Sequence, residues 1–288
     1  MVVKPFLSYP GGKRRLLKVL RHYYPKEYGT YYEPFLGAGS VFFDLMPKKA
    51  VLSDIDPYLI AAFRGIRDWP EEVNACLASY PALTKEFYVE ARKVIPSKDA
   101  ALAAWLITMN RCVWHHVYVV DPATGYKGGY GYFYGGHLSA RGPHAMRDYR
   151  VIDMVPPEDI NEVSRALRNA ELEVASWETI MPRIKSGDFV YFDPPYDMAE
   201  IGGAYKNNFV KADQLLLAQK ARDLAREGVY VLASNSKTEM TEQIWSGYPF
   251  SVYPVRVSKN LRNDIKAATW LDAEIVATNV GATSLDEW

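Results

Sequence analysis

Apolar and polar positions alternate along this chain with two different periods, and the changes between them mark three regions. Up to about Pro57 the pattern predicts helix, strand, glycine-rich turn, helix and strand. Residues 13–24 have helical spacing, Tyr31-Tyr32 enters a short strand, a helix starts near Val41, and Ala50-Val51-Leu52-Ser53 forms a second strand ending at Asp54. From about Leu172 the alternation resumes. Residues 172–175 and 189–192 read as strands, 212–226 as an amphipathic helix, and 229–233 as a buried strand. A helix at 239–244 and strands at 250–257 and 273–278 close the chain. Strands interleaved with helices imply an α/β fold with a mainly parallel, doubly wound sheet.

The middle of the chain follows another pattern. Residues 71–79, 84–94 and 98–110 read as helices, with Pro81 and Pro96 at the joins. A segment dense in Tyr and Gly follows, and residues 117–133 read as a β-hairpin turning at Asp121-Pro122-Ala123-Thr124-Gly125. The expected organisation is a sheet domain in two parts, 1–56 and 172–288, around a mainly helical insert, 57–171, that carries the hairpin.

Composition narrows the class. With 288 residues and 49% hydrophobic content, the chain can bury one large core or two modest ones. Lys+Arg and Asp+Glu both total 34, so any contact with nucleic acid must come from a local patch. Cys76 and Cys112 stand apart, without partners at metal-ligand spacing, as reduced thiols of an intracellular protein would. The start of the chain lacks an apolar segment of signal-peptide length, and the longest apolar stretch, at 100–109, is too short to span a bilayer. A soluble, cytoplasmic chain with no membrane attachment and no obligate protein partner is expected.

The most informative chemistry is Asp193-Pro194-Pro195-Tyr196, which directly follows the apolar run Phe189-Val190-Tyr191-Phe192. It puts a carboxylate, a donor-free corner and an aromatic face at the carboxyl edge of a sheet, where open α/β folds bind ligands. The exocyclic amino group of adenine or cytosine is a poor nucleophile, because its lone pair is delocalised into the ring. Asp193 can accept one of its N–H groups and the Pro194 carbonyl the other, while Tyr196 stacks on the base. Pro194 and Pro195 fix φ and contribute no donor, so the corner presents acceptors only. Held so, the nitrogen can aim its lone pair at an electrophilic methyl group.

A second constellation is Glu33-Pro34-Phe35-Leu36-Gly37-Ala38-Gly39-Ser40, which follows the strand at Tyr31 and leads into a helix. Glycines at such a turn let the backbone approach a ligand, and a helix amino end favours a carboxylate. Asp54 ends the next strand, where doubly wound folds set an acid against ribose hydroxyls; a helix cap is the alternative role. For Lys13 the alternative is an ordinary solvated lysine at a helix start.

Together with Pro10-Gly11-Gly12-Lys13 and Leu52-Ser53-Asp54-Ile55-Asp56, these motifs occur in an order that resembles the Dam-like adenine-specific DNA methyltransferases. Ser234-Asn235-Ser236 and the segment 256–262 are similar to that family's carboxyl-terminal elements. The resemblance implies a Rossmann-like methyltransferase sheet, S-adenosylmethionine as methyl donor, and the 6-amino group of adenine in double-stranded DNA as acceptor. It further implies that the insert is largely a target-recognition domain. By the same resemblance Tyr9 and Lys13 flank the cofactor and base pocket. Glu33, Phe35, Gly37 and Gly39 belong to the cofactor site, Asp54 binds the ribose, and Asp193 lies beside both the sulfonium and the target amine.

The chain departs from the family where DNA would be read. Ser8-Tyr9 replaces the usual Lys-Trp, and Trp114-His115-His116-Val117-Tyr118-Val119 follows Asn110-Arg111 in place of an aromatic-Asn-Gly segment. Val119 falls near the place of the usual base-reading Arg, so a GATC target is not implied. The expected DNA contacts are Trp114, in the place of an aromatic that fills the gap left by the flipped base, with His115, Val117, Arg141, Lys259 and Arg262. His115 and His116 have no Cys or carboxylate partner at ligand spacing, so no metal is expected. The rival readings are an amino methyltransferase acting on cytosine, RNA or a protein amide, and a DNA-binding module that has lost catalysis.

Overall fold

The structure is a computed structural model. It describes residues 3–8, 12–112, 118–121, 125–128, 150–196, 209–259 and 269–281, with the backbone alone at 118–121, 125–128, 256–259 and 269–273. The chain runs through α1 (Leu17–Leu20), β1 (Tyr31–Glu33), α2 (Ser40–Leu45), β2 (Ala50–Asp54), α3 (Pro57–Asp68), α4 (Pro70–Ser79), α5 (Lys85–Ala91) and α6 (Asp99–Cys112). It continues through β3 (Tyr118–Asp121), β4 (Gly125–Gly128), α7 (Val151–Met154), α8 (Pro157–Leu167), β5 (Ala170–Val174), α9 (Trp177–Ile180) and β6 (Phe189–Phe192). The last elements are α10 (Lys211–Arg226), β7 (Tyr230–Ser236), α11 (Glu239–Trp245), β8 (Ser251–Lys259) and β9 (Thr269–Thr278).

Seven strands form one sheet in the order β5-β2-β1-β6-β7-β9-β8. β1 pairs in parallel with β2 and β6, and β6 with β7. β9 lies antiparallel to both β7 and β8, so the parallel sheet ends in an antiparallel edge. The chain leaves β1 on its β2 side and returns on its other side as β6. The carboxyl ends of β1 and β6 therefore flank the topological switch point, and they deliver Glu33 and Asp193 there. β3 and β4 pair antiparallel with Asp121 opposite Gly125.

By internal contacts the chain divides into two compact units. A strand-rich unit comprises Lys13–Leu36, Pro47–Leu52 and Ala175–Trp288; a helical unit comprises Met1–Gly12, Gly37–Met46 and Ser53–Val174. In the strand-rich unit every residue of β6 is buried, because Val190 and Phe192 meet Leu217, Ala218, Ala221 and Leu224 of α10 in one core while Phe189 packs against Tyr24, Tyr28 and Tyr31. Burial on both faces is why its sequence is an unbroken apolar run. Trp177 joins this core, 5% exposed. Residues 13–24 do not form one regular helix. They run as a 3-10 turn at Lys13–Arg15, α1, and a 3-10 turn at Arg21–Tyr23. Leu16, Leu20, Tyr23 and Tyr24 still face inward, so the apolar period survives a change in hydrogen bonding.

In the helical unit α3 buries Leu59, Ile60, Phe63 and Ile66, and Phe63 meets Phe6 edge-on at 4.8 Å. The sequence reading passed over α3 and α8, though both carry start signals. Asp56 accepts from Tyr58 N and Leu59 N ahead of Pro57, and Glu158 and Asp159 follow Pro157 in the first turn of α8. Gly65 lets the start of α6 approach α3, since a Cβ there would run into the Asp99 carbonyl. Gly65→Ala is expected to lower the melting temperature by the equivalent of about 1–3 kcal/mol, the usual cost of overpacking. An unchanged melting curve would show that this crossing yields freely.

Candidate active site

In the strand-rich unit, β6 ends by presenting Asp193 to two donors. Lys13 Nζ lies 2.8 Å from Asp193 Oδ1, and Ser234 Oγ on β7 donates to the same oxygen at 3.0 Å. Ser234 also shares a 2.7 Å hydrogen bond with the Tyr191 hydroxyl, two residues before Asp193 on the same strand face. Oδ2 has no hydrogen-bond partner among the described residues. Lys13 is only 4% exposed, so it is not a solvated helix-start lysine, whereas the Asp193 side chain keeps 22% exposure. Burial pushes the Asp193 carboxyl above the usual carboxylate range, and Lys13 and Ser234 pull against that shift.

The rest of the tetrapeptide is fixed from other elements. The Pro195 carbonyl accepts Gln214 Nε2 of α10 at 2.8 Å, and Gln214 Oε1 accepts Asn235 Nδ2 of β7 at 3.0 Å, with both amides buried. Lys13 Nζ stands 4.6 Å from the Tyr196 ring centroid, a cation–π contact. The Tyr196 hydroxyl donates to Glu274 Oε2 of β9 at 2.9 Å. Burial raises the Glu274 carboxyl, and Lys13 and Tyr196 oppose the rise. Glu33 is 2% exposed and accepts from the Tyr31 hydroxyl at 2.8 Å. Phe35 packs edge-on against Phe209 at 5.7 Å.

The helical unit holds the glycine turn. Gly37 and Gly39 adopt φ of 47° and 66°, the left-handed region that a side chain disfavours. Asp54 at the end of β2 accepts from Gly37 N through Oδ2 and from Asp56 N through Oδ1, both at 3.1 Å. The cap of α3 is Asp56, not Asp54. Burial lifts the Asp54 carboxyl to about 6, against the lowering effect of those N–H donors. Near the end of α6, Asn110 holds Ser8 by its N–H at 3.1 Å and its carbonyl at 2.8 Å, and Arg111 reaches Ser8 Oγ at 3.1 Å and the Phe6 carbonyl at 3.2 Å. These bonds fasten the chain at Phe6 and Ser8.

The sequence reading brought Lys13, Asp193 and Tyr196 to one site, and the structure joins them directly. It missed Gln214 and Glu274 and singled out Ser234 only within a motif. Tyr9, Trp114, His115, Val117, Arg141 and Arg262 lie outside the described residues, and Lys259 is described only as the backbone end of β8. Arg150 has its guanidinium on the Ala78 and Tyr80 carbonyls. No described helix is long and apolar enough to cross a membrane.

A carboxylate, a rigid proline corner and a tethered tyrosine at the switch point of an α/β sheet make a site for polarising a planar amine. The chain belongs to the D12 class N6 adenine-specific DNA methyltransferases, whose family model matches residues 9–261. It is an adenine-specific DNA methyltransferase, acting on DNA with a methyl donor. It is 28% identical to the Type II methyltransferase M1.LlaDCHI of Lactococcus lactis subsp. cremoris, over 97% of this chain and 96% of that one. It is 25% identical to the Type II methyltransferase M.MjaIII of Methanocaldococcus jannaschii, over 92% and 95% of the two chains. Against the DNA adenine methylase of Vibrio cholerae the identity is 28%, over 86% and 87%.

Proposed function

We propose that the methyl donor is S-adenosylmethionine, that the acceptor is an adenine flipped out of double-stranded DNA, and that Asp193, Pro194, Pro195 and Tyr196 hold its 6-amino group. The observation that carries this reading is the Asp193 carboxylate, held at Oδ1 by Lys13 and Ser234 with Oδ2 unpartnered among the described residues. Asp193 Oδ2 accepts one N–H of the amine and the Pro194 carbonyl the other, so the lone pair localises on nitrogen. Tyr196 stacks on the base, and the proton of the methylated amine leaves through Asp193 or solvent. A base still stacked in the duplex cannot reach these groups, which is the reason for flipping.

The donor set suits this cofactor. Among the described residues, Asp193 and Glu274 outnumber the ammonium of Lys13 around Tyr196, and an excess of negative charge suits a cationic sulfonium. When bound, S-adenosylmethionine supplies an electrophilic methyl group on that sulfonium. Lys13 and Tyr9 flank the cofactor and base, Glu33, Phe35, Gly37 and Gly39 serve the methionine end, and Asp54 accepts from the ribose hydroxyls. Asp54 accepts backbone N–H groups from Gly37, Asp56 and Ile55, fewer than the roughly four lone-pair sites of a carboxylate, which leaves room for a hydroxyl. The insert 57–171 reads the target, with Trp114 filling the gap in the duplex and His115, Val117, Arg141, Lys259 and Arg262 contacting DNA.

Asp54→Ala is expected to weaken S-adenosylmethionine binding at least several-fold in calorimetry, since hydrogen bonds to a charged acceptor are worth about 1.5–3 kcal/mol. With a carboxyl that takes its proton at about 6, the wild-type dissociation constant should rise as pH falls below that value. An unchanged constant in the variant would leave Asp54 only its bonds to backbone N–H groups. The reaction is tested by nucleoside mass spectrometry of unmethylated DNA incubated with protein and S-adenosylmethionine. N6-methyladenine is expected; 4-methylcytosine, or methyl on RNA or protein alone, would contradict the proposal.

A further inference from the structure

Glu274 belongs to β9, directly opposite Ser236 of β7, and reaches Tyr196 across 78 residues of sequence. We infer that Glu274 is a positioning residue for methyl transfer, fixing the place of the Tyr196 ring through the tyrosine hydroxyl. The inference rests on the reading of Tyr196 as the surface on which the target base stacks.

A stacking platform is useful only when its ring is held in place, and because the tyrosine hydroxyl lies on the Cβ–Cγ axis, an anchor there opposes swing of the whole ring about Cα–Cβ. Here the backbone end is anchored where the Pro195 carbonyl accepts Gln214 Nε2 at 2.8 Å. The far end is anchored where Glu274 Oε2 accepts the hydroxyl at 2.9 Å. Lys13 Nζ lies over one face, 4.6 Å from the centroid, so a planar base would take the opposite face. A carboxylate acceptor makes the hydroxyl anchor about twice as strong as a neutral one would. Burial raises the Tyr196 hydroxyl well above its ordinary pKa, so it stays protonated and remains the donor. Without Glu274 the ring keeps its backbone anchor and its ammonium neighbour, but its hydroxyl end can swing about the Cα–Cβ bond and carry the ring away from the base.

The test is a set of single-turnover methyl transfers from tritiated S-adenosylmethionine to unmethylated genomic DNA, with melting temperatures measured alongside. Glu274→Ala is expected to slow transfer about tenfold, the scale of one charge-assisted hydrogen bond. Tyr196→Phe should lose a similar factor, and the double variant Glu274→Ala/Tyr196→Phe should be no slower than the slower single variant, because both remove the same bond. Glu274→Gln keeps an acceptor oxygen and, at saturating S-adenosylmethionine, should recover most of the rate that Glu274→Ala loses. Losses that multiply in the double variant, or a Glu274→Gln protein as slow as Glu274→Ala, would overturn the role of Glu274. Tyr196→Ala separates the two readings. If it transfers at the wild-type rate, the stacking role of Tyr196 itself is overturned; if it is inactive while the other losses multiply, only the role of Glu274 falls.

Discussion

Asp193→Ala is expected to reduce turnover at least about a hundredfold while the protein stays folded, the scale of losing one well-placed polar group that acts chiefly in the transition state. The amine gains its nucleophilic lone pair only as its N–H groups are held, so the cost should fall on the methyl-transfer step. The variant also takes one carboxylate from beside Lys13 and the Tyr196 ring, which leaves the site less negative. A less negative site suits a sulfonium less well, so cofactor affinity should fall as well. Single-turnover transfer and calorimetry separate the two losses. Near-normal turnover in a folded Asp193→Ala protein would remove this carboxylate from the mechanism.

The second large effect is expected from Lys13→Ala, and it is best seen against pH. Burial raises the Asp193 carboxyl, and the foremost opposing influence is the Lys13 charge. Without Lys13 the carboxyl holds its proton to higher pH, so the acid limb of the rate profile should move up. Turnover near neutrality should fall at least about tenfold and recover in part as the pH is raised. Stability should move the other way. A carboxyl whose pKa is higher folded than unfolded binds its proton more readily in the native state, so stability is lost as pH rises toward the folded pKa. Removing one partner of a buried pair costs about 3–5 kcal/mol, and less here because the Asp193 side chain is 22% exposed. Opposite pH trends for rate and melting temperature are the expected signature; parallel trends would place the role of Lys13 elsewhere.

These effects could be framed from the sequence because the strongest signals are local. A four-residue apolar run ending in Asp-Pro-Pro-Tyr locates β6 and its carboxyl end, and Gly37, Gly39 and Asp54 locate a strand-to-helix turn and the end of the next strand. Locality also set the limit. Gln214 comes from α10 and Glu274 from β9, and only the sheet order and the Ser236 to Glu274 register bring them to the tetrapeptide. Lys13 was legible as a motif residue, but its burial was not, since lysine is rarely this enclosed without a partner and the partner lies 180 residues away. α3 and α8 were legible and were passed over: Leu59, Ile60, Phe63 and Ile66 in one, and Ile160, Val163 and Leu167 in the other, form apolar faces at helical spacing behind the start signals at Asp56 and Pro157. Residues 13–24 kept their apolar spacing while their hydrogen bonding changed, a distinction that periodicity does not carry.

The most direct test of the central claim, that Asp193 and its tetrapeptide methylate adenine in DNA, is single-molecule sequencing of DNA from a methylase-deficient host expressing either the wild-type chain or Asp193→Ala. The account predicts N6-methyladenine at a recurrent sequence with the wild-type chain and none with the variant. Unmodified adenine in both hosts, or equal modification by the two proteins, would contradict it.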